Sequence, residues 1–187
     1  MKNIILSNTI FLIFAFIFNV TTLFGAPKNN NAQLTPVLYN SIGGKSTVRN
    51  SNGQMSLTTS STKNTTNNIN TIYRDRTGKV TQTSQTQKIG NIERTTYRDN
   101  TGKVSMTSRT HVHGNRSTTT FRDSSGRTAM TANSVTSGNT TRQTFRDRNG
   151  RVTQTATIRK NANGSVTTTY RDASGRVIST KTTRYNK

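Results

Sequence analysis

A short motif, Tyr/Phe-Arg-Asp-x-x-Gly-Lys/Arg-Val, recurs every 24 or 25 residues from Tyr73 almost to the C-terminus. The third copy has Thr128 in place of the valine. A degenerate sixth copy precedes the others as Val48-Arg49-Asn50-x-x-Gly53-Gln54-Met55. A fixed period of this length is typical of repeat arrays, in which each unit contacts its neighbours. We therefore expect function to reside on a surface built from many copies. The five clear copies begin at Tyr73, Tyr97, Phe121, Phe145 and Tyr170.

Each copy contains an Asp-x-x-Gly segment that predicts a hairpin turn. An aspartate side chain at the first position accepts hydrogen bonds from nearby backbone N–H groups, and glycine at the fourth adopts a positive φ. The glycine, followed by a basic residue, would then form a bulge that closes the hairpin. The predicted turn residues are Asp75, Gly78, Asp99, Gly102, Asp123, Gly126, Asp147, Gly150, Asp172 and Gly175. A second kind of tight turn is predicted at Gly90-Asn91, Gly114-Asn115, Gly138-Asn139 and Asn163-Gly164.

The segments between the turns are rich in Thr, Val, Tyr and Phe and contain no proline, a composition typical of β-strands. No segment shows a sustained helical period. The predicted fold is all-β, an antiparallel meander of β-hairpin repeats with about ten strands from the five clear copies. The sheet is expected to be open or rolled, and an open sheet of ten strands at ~4.8 Å each would span ~50 Å.

Which face of this sheet is buried depends on the turn geometry. After the turn, Val104 has the same alternation parity as Met106, and threonines occupy the opposite parity. If Asp172 lies opposite Arg176, then Tyr170 opposes Ile178 and faces the threonine side. A shift of one residue in the turn would instead place Tyr170 with the valines. The sequence leaves both arrangements open.

Composition and hydropathy divide the 187 residues into four parts. Residues 1–25 resemble a signal peptide, with Lys2 before an apolar run and small residues near its end; an uncleaved N-terminal anchor is the alternative. Residues 26–46 hold both prolines and are predicted to be a disordered leader. Residues 47–70 are predicted to be a degenerate repeat and linker, and 71–187 a five-copy β-hairpin repeat domain. The expected location is secreted, periplasmic or at the cell surface.

The chain has no cysteine, so neither a disulfide nor a lipid-modified cysteine can form. Hydrophobic residues make up 28% of the sequence, and much of that share lies in the predicted signal peptide. The repeats have too little apolar side-chain surface for a conventional core of their length. Their stability is therefore expected to come from backbone pairing.

The formal net charge is +21, and acidic residues are almost confined to the predicted turns. Five of the six acidic residues are the turn aspartates, and Glu93 is the sixth. A field of this strength favours a polyanionic partner. The alternative is that the charge only keeps a polar repeat protein soluble.

Two basic positions recur in every clear copy, one after the aromatic residue and one after the glycine. On a regular sheet each position would repeat at ~10 Å, which suits an evenly charged polymer, and the adjacent aromatics could stack on bases or sugars. The alternative is that these side chains pair with the turn aspartates and neighbouring strands. The predicted polyanion-binding residues are Arg74, Lys79, Arg98, Lys103, Arg122, Arg127, Arg146, Arg151, Arg171 and Arg176.

No set of residues predicts catalysis, a metal site or a cofactor. His111 and His113 are the only histidines, and no thiol or carboxylate near them in the sequence completes a metal-ligand set. The five turn aspartates are spread over five repeats, so no paired-carboxylate acid/base site is implied. We therefore expect a protein that is not an enzyme, and no small-molecule substrate is implied.

The Asp-x-x-Gly-Lys/Arg-Val core, as in Asp172 to Val177, resembles the tyrosine-aspartate (YD or Rhs-type) repeats of bacterial surface and toxin-delivery proteins. That resemblance implies a β-meander built from short hairpin repeats on an extracellular bacterial protein. The present chain differs in having arginine directly before the aspartate, a longer period and few copies.

Three functional hypotheses follow. The first is an exported, non-enzymatic protein whose cationic ladder binds an anionic polymer, either polysaccharide, lipopolysaccharide or nucleic acid, in adhesion, matrix or envelope association. The second is a structural filament or matrix protein that self-associates through open sheet edges, as secreted amyloid-forming repeat proteins do. The third is a secreted virulence factor that acts on a host protein.

Overall fold

A computed structural model describes residues 44–64 and 68–185, which form twelve β-strands. The predicted signal peptide lies outside the described residues. Strand β1 begins at Gly44, within the predicted leader, and β3 begins at Asn68, within the predicted linker. Among the described residues there is no helix long and apolar enough to cross a membrane. The strands are β1 (Gly44–Asn50), β2 (Met55–Lys63), β3 (Asn68–Asp75), β4 (Val80–Ile89), β5 (Ile92–Asp99), β6 (Val104–His113), β7 (Arg116–Asp123), β8 (Thr128–Ser137), β9 (Thr140–Asp147), β10 (Val152–Lys160), β11 (Val166–Asp172) and β12 (Val177–Tyr185).

Every strand pairs antiparallel with its neighbours in sequence, and β1 also pairs with β12 to close a barrel. The predicted all-β antiparallel meander is thus confirmed. Two parts of that prediction are wrong: the sheet is closed rather than open or rolled, and it has twelve strands rather than about ten. The degenerate copy contributes the additional strands β1 and β2, and pairing of β1 with β12 removes both free edges of the sheet.

The hairpin register explains how the array closes. Ser84 pairs with Thr71 on one side and with Tyr97 on the other, although Thr71 lies two residues before the aromatic position of its own repeat. Each repeat is therefore displaced by two residues relative to the preceding one. A stagger of this kind, accumulated around a sheet, is what tilts the strands and allows a barrel to form.

A β-bulge in each hairpin determines which side chains enter the barrel. Tyr97 pairs with Met106, but the next residue, Arg98, pairs with Val104, so Ser105 is the additional residue of the bulge. The aromatic and the methionine face inward, whereas Val104 shares the outer face with the arginine. Val104 and Met106 have the same alternation parity in the sequence, but the bulge places their side chains on opposite faces of the sheet.

The last repeat has the same arrangement. Tyr170 pairs with Ser179, not with Ile178, and its side chain is buried. Val177 pairs with Arg171 and remains 37% exposed. The first arrangement left open by the sequence is correct in placing Asp172 opposite Arg176 and Tyr170 away from Val177. It is wrong in pairing Tyr170 with Ile178, because both arrangements assumed that valine and the residues after it alternate without interruption.

The barrel interior has two chemically different layers. The layer near the Asp-x-x-Gly turns is apolar, and one buried cluster there comprises Tyr97, Met106, Phe121, Met130, Ala132, Phe145, Ala156 and Tyr170. A smaller cluster contains Val48, Leu57 and Tyr73. Toward the Gly-Asn turns the interior carries paired hydroxyl groups, such as those of Thr110 and Thr119, whose oxygens lie 2.8 Å apart. The repeats have too few apolar side chains to fill the interior, so threonines also occupy it. Their hydroxyl groups satisfy each other by pairing across strands.

Lys181 lies inside the barrel, next to the junction of β1 and β12 where the sheet closes. It lies opposite Val48 on one side and Thr168 on the other and is 6% exposed. Equivalent positions in other repeats carry small residues such as Ser84 and Ala132, each opposite an aromatic. Val48 is smaller than those aromatics, so the long lysine stem fills the space that it leaves. Burial lowers the pKa of Lys181 to about 8.

Replacement of Lys181 by methionine should raise the free energy of unfolding at pH 7 by roughly 2–3 kcal/mol, because the buried ammonium is held at a cost that the thioether does not carry. The folded pKa lies below the ordinary lysine value of 10.5, so this cost is full at pH 7 and disappears as pH rises from about 8 toward 10.5. Urea unfolding at pH 7 and pH 10 measures it. Exposed Lys63 replaced by methionine is the control, and an equal gain at both pH values would contradict the expectation.

Candidate polyanion-binding rim

Six Asp-x-x-Gly-type turns lie at one end of the barrel, because a meander places alternate turns on the same side. We call this end the aspartate rim; it comprises residues 49–54, 74–79, 98–103, 122–127, 146–151 and 171–176. Asn50 takes the place of aspartate in the first turn. The tight turns at Gly90, Gly114 and Gly138 lie at the opposite end. The tight turn predicted at Asn163-Gly164 is wrong: residues 161–165 form a longer turn there, in which Asn161 and Gly164 make the same backbone hydrogen bonds as the aspartate and glycine of the rim turns.

The last turn illustrates the local chemistry of the rim. Asp172 Oδ1 accepts hydrogen bonds from the backbone N–H groups of Ser174 and Arg176 at 2.9 and 3.0 Å and from the Ser174 hydroxyl at 2.6 Å. The Gly175 N–H donates to the Asp172 carbonyl at 3.0 Å, and Gly175 has a φ of +85°. A residue with a Cβ would be strained at this φ. Carboxylate and glycine therefore act together to hold the turn.

The arginine after each aromatic residue makes a contact that the motif alone does not predict. Its Nη1 donates a hydrogen bond to the carbonyl oxygen of the turn glycine four residues later, at 2.9 to 3.0 Å in all six copies. The guanidinium thus lies across its own turn and is positioned by it. Because a guanidinium has five N–H donors, this hydrogen bond leaves most of them for other partners. These residues are Arg49, Arg74, Arg98, Arg122, Arg146 and Arg171.

The second basic position lies directly after the glycine, and its side chain is exposed in all five clear copies. The backbone N–H at this position donates to the turn aspartate in every one of them. Within the described residues, Arg176 and Asp172 form the one ion pair, with Nε and Oδ2 3.0 Å apart. The alternative in which the rim arginines pair with the turn aspartates thus applies at one of the ten predicted positions. The residues are Lys79, Lys103, Arg127, Arg151 and Arg176.

Closure of the barrel turns the predicted linear ladder into a ring. Arg49, Arg76 and Arg148 join the ten predicted residues at the rim, so thirteen exposed cations face five carboxylates there. Twelve strands at ~4.8 Å give a circumference of roughly 60 Å and hence a backbone ring about 20 Å across. The rim therefore concentrates a net charge of +8 in a small circle.

The aromatic residues are not part of this exposed surface. Tyr73, Tyr97, Phe121, Phe145 and Tyr170 all lie inside the barrel and are at most 4% exposed. The expectation that they stack on bases or sugars beside the ladder is therefore wrong. The bulge is the physical reason, since it separates the inward aromatic from the outward arginine that follows it.

Hydrogen bonding lowers the pKa values of four turn carboxylates. The Ser174 hydroxyl and the backbone N–H and guanidinium of Arg176 hold the pKa of Asp172 at about 2. The Thr77, Thr101 and Ser125 hydroxyls likewise lower the pKa values of Asp75, Asp99 and Asp123. The rim therefore carries both positive and negative charges at neutral pH, and each carboxylate accepts hydrogen bonds from its own turn.

Substitution of Asp172 by asparagine should lower the thermal midpoint slightly at pH 6, and the difference should shrink as pH falls through 2 and disappear at about pH 1. Asparagine can hold the turn, since Asn50 Oδ1 accepts the equivalent N–H groups of Asn52 and Gln54 at 3.0 Å. The ionised form of Asp172 stabilises the fold above pH 3.8, and this contribution is lost as pH falls through about 2. Calorimetry from pH 6 to about pH 1 measures the effect, and a difference that does not shrink below pH 2 would show that ionisation is not its source.

The other ionisable residues considered in the sequence lie away from the rim. His111 and His113 stack on the outer wall with ring centroids 6.4 Å apart. No group of three or more His, Cys, Asp or Glu side chains that could hold a metal occurs in the described part of the chain. Glu93 lies opposite Lys88 near the other end of the barrel, where burial raises its pKa to about 7.

The chain matches neither a protein-family model nor a curated protein sequence.

Proposed function

We propose that this protein is a non-enzymatic, exported binding protein whose aspartate rim holds an anionic polymer. The candidate polymers are polysaccharide, lipopolysaccharide and nucleic acid, and the processes are adhesion, matrix formation or envelope association. The observation that carries the proposal is the ring of thirteen exposed cations against five carboxylates at one end of a closed barrel. Glu93 is the one acidic residue of the sequence outside the turn aspartates, so the electrostatic potential is positive over most of the surface.

The fixed arginines make the rim suitable for this role. Each guanidinium is held by its glycine carbonyl, so binding an anion costs less side-chain entropy than it would at an unrestrained lysine. Guanidinium groups also match phosphate, sulfate and carboxylate geometry with paired N–H donors. The lysines and arginines after the glycines surround them and add charge without a fixed geometry.

A ring about 20 Å across also changes the expected mode of contact. A linear ladder would lie along one extended polymer, whereas a ring at the end of a barrel meets many anionic groups that are presented together. Densely anionic surfaces such as a lipopolysaccharide layer have this property. The burial of the repeat aromatics leaves charge, rather than base stacking, as the main attraction at the rim.

Binding of the purified chain to heparin, DNA and lipopolysaccharide across a salt series tests this proposal. We expect the logarithm of the affinity to fall linearly with the logarithm of the salt concentration, because bound cations of the polymer are released. An affinity that does not change with salt would contradict the electrostatic mechanism. Comparison of the three polymers at one salt concentration then ranks the candidate partners.

Self-association through sheet edges has less support. In residues 44–64 and 68–185 each of the twelve strands pairs on both sides, so these strands present no free edge. A filament would need contacts other than strand addition. No specific observation favours action on a host protein.

A further inference from the structure

The outer wall of the barrel carries a groove of about 530 Å³ at the seam between β1 and β12. Five outward-facing residues line it: Lys45, Thr47, Arg49, Thr182 and Arg184. A volume of this size lies within the ~300–1,000 Å³ range of small-molecule sites. We call it the seam groove. It begins at the rim with Arg49 and ends near the first residues of β1.

Like charges face each other directly in the seam groove. Lys45 lies opposite Arg184 across β1 and β12, and like charges directly opposite each other destabilise a sheet. Among the described residues, no acidic side chain lines the groove. An anionic ligand bound there would offset the repulsion between Lys45 and Arg184.

The polar groups along the groove have a definite order. Lys45 and Arg184 lie at one end and Arg49 at the other, four residues or ~13 Å away along the strand. Between them, Thr47 and Thr182 lie directly opposite each other. Each threonine hydroxyl can donate and accept a hydrogen bond. The groove thus presents cations at its ends and uncharged hydroxyls at its centre.

This order fits an anionic saccharide. Sulfate, phosphate or carboxylate groups at the ends of a short sugar segment would meet the cations, and its ring hydroxyls would meet the threonines. None of the described residues that line the groove is aromatic, so they offer a nucleobase no surface on which to stack. We propose that the seam groove is a binding site for a saccharide segment that carries sulfate or phosphate groups.

The seam groove and the aspartate rim can be tested separately. Lys45 and Arg184 belong to the groove and not to the rim, so a variant that removes both leaves the ring of cations intact. The proposed site therefore stands even if the rim binds no polymer. Removal of the facing charges should also leave the thermal midpoint equal or higher, since it relieves repulsion, and this separates weaker binding from unfolding.

The experiment uses the double variant Lys45→Gln/Arg184→Gln in the full chain, with Arg94→Gln/Arg109→Gln as the control. Arg94 and Arg109 also oppose each other directly on the outer wall, between β5 and β6, so both variants lose the same charge from the same kind of pair. Calorimetric titration with sucrose octasulfate is expected to show a saturable site in the seam groove in addition to binding at the aspartate rim, which both variants retain. Binding at the groove site should be roughly 100-fold weaker in the groove variant, about tenfold per charged group removed, and within about twofold of wild type in the control.

Two further probes define the ligand class. Inorganic pyrophosphate offers phosphate without a sugar, and a short oligothymidylate offers phosphodiesters with bases. Both are expected to bind more weakly than sucrose octasulfate, and the weaker binding of pyrophosphate should still depend on Lys45 and Arg184. Equal losses in the groove and control variants would overturn the site, because they indicate general electrostatic attraction. Equally strong, groove-dependent binding of oligothymidylate would overturn the assignment to a saccharide.

Discussion

Replacement of Phe145 by alanine should lower the free energy of unfolding by about 3–5 kcal/mol, the largest stability change expected for a single substitution in this chain. Phe145 is fully buried and belongs to the main apolar cluster, together with Ala156 and Met130. The repeats place few apolar side chains inside the barrel, so neighbouring residues offer little that could fill the cavity. Urea denaturation at equilibrium measures the change.

Val152 is the matched control. It lies after the turn in the same hairpin, but the bulge places it opposite Arg146 on the outer wall, where it is 36% exposed. Its replacement by alanine should change the free energy of unfolding by no more than about 0.5 kcal/mol. A similar loss for both variants would contradict the inward position of the aromatic and the outward position of the valine.

Neutralisation of the five basic residues after the turn glycines should weaken polyanion binding roughly 100- to 1,000-fold at low salt. With DNA as the polymer, the slope of log K against log salt should become shallower by about 0.9 for each phosphate that the variant no longer neutralises. The substitutions are Lys79→Gln, Lys103→Gln, Arg127→Gln, Arg151→Gln and Arg176→Gln. The arginines after the aromatic residues are unchanged in this variant, so their hydrogen bonds to the turn glycine carbonyls are kept.

A second five-residue variant removes the same amount of charge away from the rim. It carries glutamine at five exposed wall positions in the half of the barrel that is remote from the rim: Lys63, Arg94, Arg109, Arg142 and Arg159. Its affinity should fall by less than about tenfold, because distant charges contribute only through the screened overall field. Equal losses in the two variants would argue against the rim as the binding surface and leave only the net charge.

The strands and turns of this protein could be predicted because both depend on local sequence. The aspartate that accepts the N–H of Ser174 and Arg176 lies within four residues of its partners. The alternation of threonine with larger residues between the turns likewise indicates strands without reference to the rest of the chain. The cationic positions could be identified by the same means, since they occupy fixed places in the motif.

Closure of the barrel depends on pairings that the local pattern does not carry. Val48 meets Lys181 across more than 130 residues of chain, and β1 comes from the copy whose motif is most degenerate. Register shifts of two residues per repeat accumulate to bring these strands together, and such shifts follow from the pairing and not from the composition. The sequence therefore predicted a sheet and a ladder, whereas the folded chain has a barrel and a ring.

The bulge accounts for the remaining errors. One additional residue, Ser105 in the second clear copy, reverses the face on which Val104 lies relative to Met106. The bulge also places the Tyr97 side chain inside the barrel, whereas the Arg98 side chain lies outside, across its own turn. A sequence alternation does not show where it is interrupted, and the turn glycine, Gly102, lies three residues before the interruption at Ser105.

Closure between β1 and β12 makes the ring of cations, and a disulfide across the seam tests it most directly. Thr47 and Thr182 are directly opposed on the outer wall, where Cβ atoms are ~4.5–5.5 Å apart, close to disulfide geometry. The chain has no native cysteine, so Thr47→Cys/Thr182→Cys contains a single pair, and Thr47→Cys/Thr120→Cys, with Thr120 on β7, is the control. Mild oxidation should convert the first variant to a cross-linked monomer that migrates faster on non-reducing gels and leave the control unlinked. Cross-links that form only between chains would contradict a closed barrel.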